Sequence, residues 1–207
     1  MVTMTVAPID GRGASDLRFV LRDATEAAHR RLDAGFAAHD LSRRGDYVAF
    51  LTAMNAAFAP LEAWLDGADP AFLPTDWSTR RRADALRADL SGLGIACPVG
   101  SGEALPRTLP DAEAPGMVYV LEGSRLGGQV LLRQILASPD PLLHANARFL
   151  RHGEGQRLWP SLRAWLETRP AADHAAAIRG ALRAFALFEA AGPGIDAAPV
   201  IPSANPA

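Results

Sequence analysis

The chain has 207 residues, 49% of them hydrophobic and 21% charged, with a formal net charge of −2. That balance is ordinary for a globular protein long enough to bury a sizeable core, and it argues against binding nucleic acid through bulk positive charge. No uninterrupted apolar run approaches the roughly 18–20 residues that cross a bilayer, the N-terminal MVTMTVAPIDGRG lacks the charged and apolar regions of a secretory signal, and the single Cys97 excludes an internal disulfide.

A cytoplasmic setting, with no membrane or nucleic-acid partner, is therefore expected. Every basic side chain other than histidine is arginine. Lysine Schiff-base chemistry and the lysine-bearing P-loop are excluded. The arginine excess is read as genomic base composition, yet it supplies planar cations that can bind carboxylates through two hydrogen bonds.

In chain order, residues 1–14 are polar and aperiodic and read as a flexible arm. Ser15 is placed to cap a helix from Asp16 to about Ala34, with Leu17, Val20, Leu21, Ala24, Ala28 and Leu32 as its apolar stripe and Gly35 as its stop. Arg22, His29 and Asp33 share one side of it. Ser42 is placed to cap a second helix carrying Tyr47, Phe50, Leu51, Met54 and Phe58, with a kink at Pro60 and Trp64 in the core. The run STRRRADALRADL predicts one short helix, its triplet Arg80–Arg82 read as a solvated face. Ser91 to Pro115 is Gly- and Pro-rich and reads as a long connection.

The helix from Gly116 to Leu132, started by Pro115, has Gly123, Gly127 and Gly128 in its interior. Each glycine there costs about 0.5–1 kcal/mol relative to alanine. At 100° per residue Val120, Ser124, Gly127 and Leu131 fall on one face, with Gly123 and Gly128 at its margins. Such a smooth face suits either close packing of another helix or a large flat ligand. Further helices are expected through Leu142–Leu150, ending at Gly153, over Gln156–Glu167, and over Ala171–Ala191, the last packing Ile178, Leu182, Phe185 and Phe188; residues 192–207 read as a flexible tail. No alternating strand is present, so the expectation is an all-α single domain, residues 15–191, of about seven helices.

Among the histidines, His39, His144, His152 and His174 sit near helix ends and read as surface or capping residues. His29 differs, with a carboxylate one turn later and an arginine two turns earlier. A carboxylate on one ring nitrogen fixes the tautomer and leaves the other nitrogen for a metal or a proton. The sequence has no nucleophile elbow, P-loop, HExxH, CxxC or paired ExxH motif. One histidine helix and one smooth glycine helix together suit a flat porphyrin, whose iron is commonly held by one proximal histidine.

The two segments LRDATEAAHRRLDAGF (Leu21–Phe36) and YVLEGSRLGGQ (Tyr119–Gln129) resemble the proximal-helix signature and the distal glycine helix of haem oxygenases, particularly the bacterial, bacteriophytochrome-associated, biliverdin-forming type. The aromatic FALFEAA, Phe185–Ala191, is similar too.

The resemblance implies that His29 is the proximal iron ligand, with Asp33 standing where the family usually has a glutamate and so contacting His29 through water. It implies that Arg22 binds a haem propionate, that Gly123, Gly127, Gly128 and Phe188 lie against the macrocycle, and that Ser124, at a position held by aspartate in the animal enzymes, orders distal water. Arg125 falls off the glycine face and is expected to point away. The implied activity is O2-dependent cleavage of haem, both substrate and cofactor, to biliverdin, CO and ferrous iron, with electrons from an external ferredoxin, flavodoxin or reductase, and with a bilin-binding photoreceptor as a partner. Two other readings stand beside it: a haem sensor or carrier without turnover, and a ligand-free helical interaction protein.

Overall fold

The computed structural model describes residues 16–36, 39–96 and 104–192. Among them there is no strand, and nine α-helices follow one another: α1 (Leu17–Phe36), α2 (Arg44–Leu65), α3 (Trp77–Arg80), α4 (Ala83–Gly92), α5 (Ala114–Ala137), α6 (Pro141–Ala145), α7 (Arg148–Arg151), α8 (Leu158–Glu167) and α9 (His174–Ala191). Single 3-10 turns stand at Pro70–Phe72, Asp111–Glu113 and Ala171–Asp173. The all-α expectation is met. Ser15, Cys97, the arm 1–14 and the tail beyond Gly192 lie outside the described residues.

The helix count exceeds seven because two expected helices are each broken by buried carboxylates that cap a new start. Between α3 and α4, Arg81 is extended (φ −62°, ψ 137°). Glu62, reaching across from α2, accepts hydrogen bonds from the amides of Arg82 (2.7 Å) and Ala83 (3.0 Å). Between α6 and α7, Asp89 of α4 accepts from the amides of Arg148 (3.1 Å) and Phe149 (2.8 Å). In both places a distant acidic side chain satisfies helix-start donors that the local sequence leaves open.

Other local expectations shift in the same way. Asp16, whose carboxylate accepts from the Arg18 amide at 2.9 Å, serves the start of α1. Ser42 does not cap α2; its hydroxyl donates to Asp40 at 2.6 Å. Along α1, Leu17, Leu21 and Ala28 are buried, but Ala24 is exposed and Thr25 takes the inward position, donating to the Leu21 carbonyl at 2.7 Å. Helix α2 continues through Pro60 and buries Trp64 as expected. By length and composition α2 could also cross a bilayer, although most of it is buried within the fold.

Helix α9 is the centre of the packing, lying against α5, α1 and α2. Its inward face is small at Ala177, Gly180, Ala181 and Ala184 and aromatic at Phe185 and Phe188, all buried. Leu182, expected to pack, is instead 42% exposed. Where α5 crosses α9 the backbones approach so closely that a Cβ at Gly116 would fall 1.7 Å from the Ala177 carbonyl oxygen, and one at Gly180 would fall 2.0 Å from that of Glu113. Two glycines therefore let α5 lie directly on α9, and the far half of α5 is left to face α1 across a gap.

Candidate functional site

That gap is a cavity of about 720 Å3, within the 300–1,000 Å3 usual for small-molecule and cofactor sites. Helix α1 supplies one wall through Arg18, Phe19, Arg22, Thr25, His29 and Asp33; α5 supplies the other through Val120, Gly123, Ser124, Gly127, Gly128 and Leu131. Phe50 and Met54 of α2, Phe149 and Leu150 at α7, Trp159 of α8, and Phe185 and Phe188 of α9 close the apolar floor and ends. Arg22, His29, Gly123, Ser124, Gly127, Gly128 and Phe188, chosen from sequence, thus line one space.

On the α1 wall, the His29 ring carries Asp33 Oδ2 3.0 Å from its Nδ1. Asp33 makes the contact directly, so the shorter side chain does not require the expected water: at i,i+4 a carboxylate reaches the ring without help. This engagement leaves Nε2 as the ring nitrogen for a ligand. Phe185 packs edge-on against the imidazole, with ring centroids 6.0 Å apart. Toward the start of α1 the wall turns cationic. Arg18 and Arg22 both lie over the Phe19 ring, at 4.0 and 5.2 Å from its centroid. Arg22 pairs with exposed Asp23 at 2.8 Å, while Nε of Arg18 is buried without a hydrogen-bond partner. Half-buried Tyr119 stands at the same end; burial pushes its hydroxyl pKa up against the opposing pull of Arg18 and Arg22.

The α5 wall is bare where it matters. A Cβ placed on Gly123 or Gly127 would meet nothing within 4 Å, and one on Gly128 would make only an ordinary contact with Leu150 at 3.6 Å. The two readings of the glycine face are thereby separated: Gly123 and Gly127 do not serve helix packing, and their open side is the cavity. Arg125 is absent from the lining and turns away as expected, donating to Glu122 Oε1 at 2.8 Å and to the His152 carbonyl at 2.9 Å.

The arginine triplet departs furthest from its sequence reading. Only Arg81 is on the surface, paired with Asp66 at 3.0 Å; Arg80 and Arg82 are 2% and 3% exposed. Arg82 runs behind the glycine wall. Its Nη2 donates to the Leu121 carbonyl and, at 2.7 Å, to Ser124 Oγ, and its guanidinium lies 4.6 Å and 4.8 Å from the ring centroids of Phe58 and Phe149. Burial, and next the Arg125 charge, bring its pKa down to about 9, so it stays cationic at neutral pH. The Ser124 hydroxyl is fully oriented by this contact: it accepts from Arg82 and gives its proton to the Leu121 carbonyl at 2.7 Å.

The remaining histidines divide. His39 lines the cavity, and its Nδ1 is buried without a partner; His144 Nε2 lies 2.9 Å from the Ser138 carbonyl oxygen. His152 is half-buried at the C-cap of α7, and burial, with Arg125 and Arg82 nearby, lowers its pKa to about 4. His174 has a buried Nε2 with no partner.

No protein-family model matches the chain. It is 41% identical over 114 residues to a protein named heme oxygenase from Xanthomonas campestris pv. campestris, covering 54% of this chain and 67% of that one. It is 32% identical over 146 residues to heme oxygenase PigA of Pseudomonas aeruginosa, covering 69% of this chain and 73% of the relative. Among solved structures, the NO- and CO-bound heme oxygenase from Neisseria meningitidis superposes with a TM-score of 0.70 at 24% identity, over 89% of this chain and 97% of that one, a likeness of fold.

Proposed function

The chain belongs to the haem oxygenase family, and on that premise we propose that its own cavity residues divide the reaction as follows: His29 is the axial iron ligand, Arg18 and Arg22 seat the propionates, and the glycine face of α5 is the distal wall. Family membership makes the protein an O2-dependent oxidoreductase that degrades haem with electrons from a reductase partner. The observation that carries the residue assignment is the open Cβ space at Gly123 and Gly127 in the same cavity as a histidine held by a carboxylate.

The residues fit a porphyrin. The cavity is apolar through Val120, Leu131, Phe149, Phe185 and Phe188, and Arg18 and Arg22 bring cations to it from the start of α1. Arg18, whose buried Nε makes no hydrogen bond and has only Asp16 Oδ2 at 3.8 Å, and an Arg22 whose present partner is an exposed neighbour suit carboxylates that arrive with the ligand. When bound, haem supplies both the iron at which O2 is activated and the ring that is opened.

What the chain contributes is position and polarity. Asp33 accepts from His29 Nδ1–H, fixing the tautomer and strengthening Nε2 as a donor to iron. The bare turn at Gly123–Gly128 lets backbone approach the macrocycle where any side chain would hold it off, a steric means of orienting the reacting atoms. Ser124 cannot donate a proton outward, because its hydrogen is committed to Leu121; it orders a distal water by accepting from it. Arg82, whose charge lies just behind Ser124, favours negative charge developing on the distal side.

The same reading extends to the cytoplasm as the setting, to a ferredoxin, flavodoxin or reductase as the electron source, and to release of the bilin to a photoreceptor. Reconstitution with hemin followed by reductant under air tests the function: the Soret band is lost as a bilin spectrum grows. A stable ferric or oxy spectrum would refute turnover.

A further inference from the structure

The turn of α5 that forms the distal wall is the least self-supporting part of that helix. Gly123 and Gly127 have no side chains, and a Cβ at either would touch no neighbour. Glycine in a helix interior also weakens it. Whatever fixes this turn must act from its other face.

That face is held by a chain of buried ionic contacts. Glu122, its side chain 1% exposed, places Oε2 2.7 Å from Arg80 Nη1 and Oε1 2.8 Å from Arg125 Nε. Arg80, equally buried, spends its other donors on both oxygens of Asp76 (2.6 and 2.7 Å), on Ser161 Oγ (2.7 Å) and on the Leu158 carbonyl (3.0 Å). Arg125 reaches the Arg80 carbonyl at 2.6 Å and the carbonyl and Nδ1 of His152 at 2.9 and 3.0 Å. One carboxylate thus ties α5 to α3, to the start of α8 and to the segment after α7.

Buried ion pairs are poor sources of net stability compared with well-packed apolar side chains, and their best-supported use is to specify one geometry. Here the geometry specified belongs to residues immediately beside Gly123 and Ser124. We propose that Glu122 is a positioning residue for the haem-degrading reaction: by bridging Arg80 and Arg125 it sets how far the Gly123–Gly128 backbone stands from the porphyrin and hence which bilin isomer forms. The inference rests on the distal-wall reading above.

Glu122→Gln, nearly isosteric and without the charge, tests it in the full chain. Backbone amides of residues 123–131 are expected to exchange hydrogen at least tenfold faster in the hemin-free protein, and the bilin isomer ratio, read by chromatography, to change at least threefold, while hemin still gives the His29-dependent Soret band. A lowered melting temperature with unchanged exchange at 123–131 and an unchanged isomer ratio marks Glu122 as a stabilising residue only and overturns the proposal, as does faster exchange with an unchanged ratio. If the Gln variant does not fold, Arg125→Gln, whose side chain is 11% exposed against 1% for Glu122, is measured by the same two readouts with the same criteria. Gly127→Leu separates the two claims. If it blocks hemin while Glu122→Gln changes neither readout, the positioning role fails alone; if it leaves hemin binding intact, the distal wall itself is misassigned.

Discussion

The start and the middle of α5 use the same residue for opposite purposes. At Gly116 the missing side chain lets one backbone rest on another: a Cβ there would lie 1.7 Å from the Ala177 oxygen, and Gly180 answers it from α9. Two and three turns further on, at Gly123 and Gly127, the missing side chain leaves open space on the cavity wall. The first kind of glycine is part of the fold's stability. The second kind lowers it, and the proposed distal wall gives the open space a use. A smooth helical face is therefore not evidence of a site until the space above each Cβ is known.

Substitutions at the two places should separate cleanly. Gly116→Ala forces the α5–α9 crossing apart, and overpacking of this kind costs about 1–3 kcal/mol, occasionally more; a denaturant midpoint equal to that of the parent would break the contrast. His29→Ala, on the opposite wall, should remove the iron ligand and abolish normal turnover with little effect on hemin-free stability, because the His29 side chain is 64% exposed; full bilin production by that variant would refute its assignment. Gly127→Ala should act opposite to Gly116→Ala, raising hemin-free stability by about 0.5–1 kcal/mol through helix propensity while weakening hemin binding. A stability loss there would mean that the open space is structurally occupied.

The smallest effect concerns pH. His152, behind the wall, has its pKa lowered from 6.5 to about 4 by burial and by Arg125 and Arg82. Between these values the unfolded chain takes up a proton that the folded chain refuses, so stability falls as pH drops from about 6.5 toward 4 and is unaffected by this group above 6.5. Denaturation measured at pH 7 and pH 5 should show that loss, and His152→Asn should reduce it. An unchanged pH dependence in the variant would remove His152 from the account.

Periodicity and motif order were enough to read the helical class and to pick residues that line one cavity, because Arg22, His29 and the glycines lie on two continuous helix faces whose geometry is local. The inward arginines were not legible. RRR beside ADALRADL has the pattern of a solvated helix start, and what turns Arg80 and Arg82 inward is a set of acceptors, Glu122, the Leu121 carbonyl and Ser124, that lie far along the chain. Glu62 and Asp89 hid the two helix breaks for the same reason. Nor does anything local distinguish Gly116 from Gly123: only the position of α9 does.

The most direct test of the distal wall is Gly127→Leu, measured for hemin-free stability and hemin affinity on the same preparation. A distal wall at Gly127 predicts a denaturation midpoint no lower than that of the parent, with hemin affinity, read from the His29-dependent Soret band, reduced at least tenfold. Unchanged hemin affinity would contradict it.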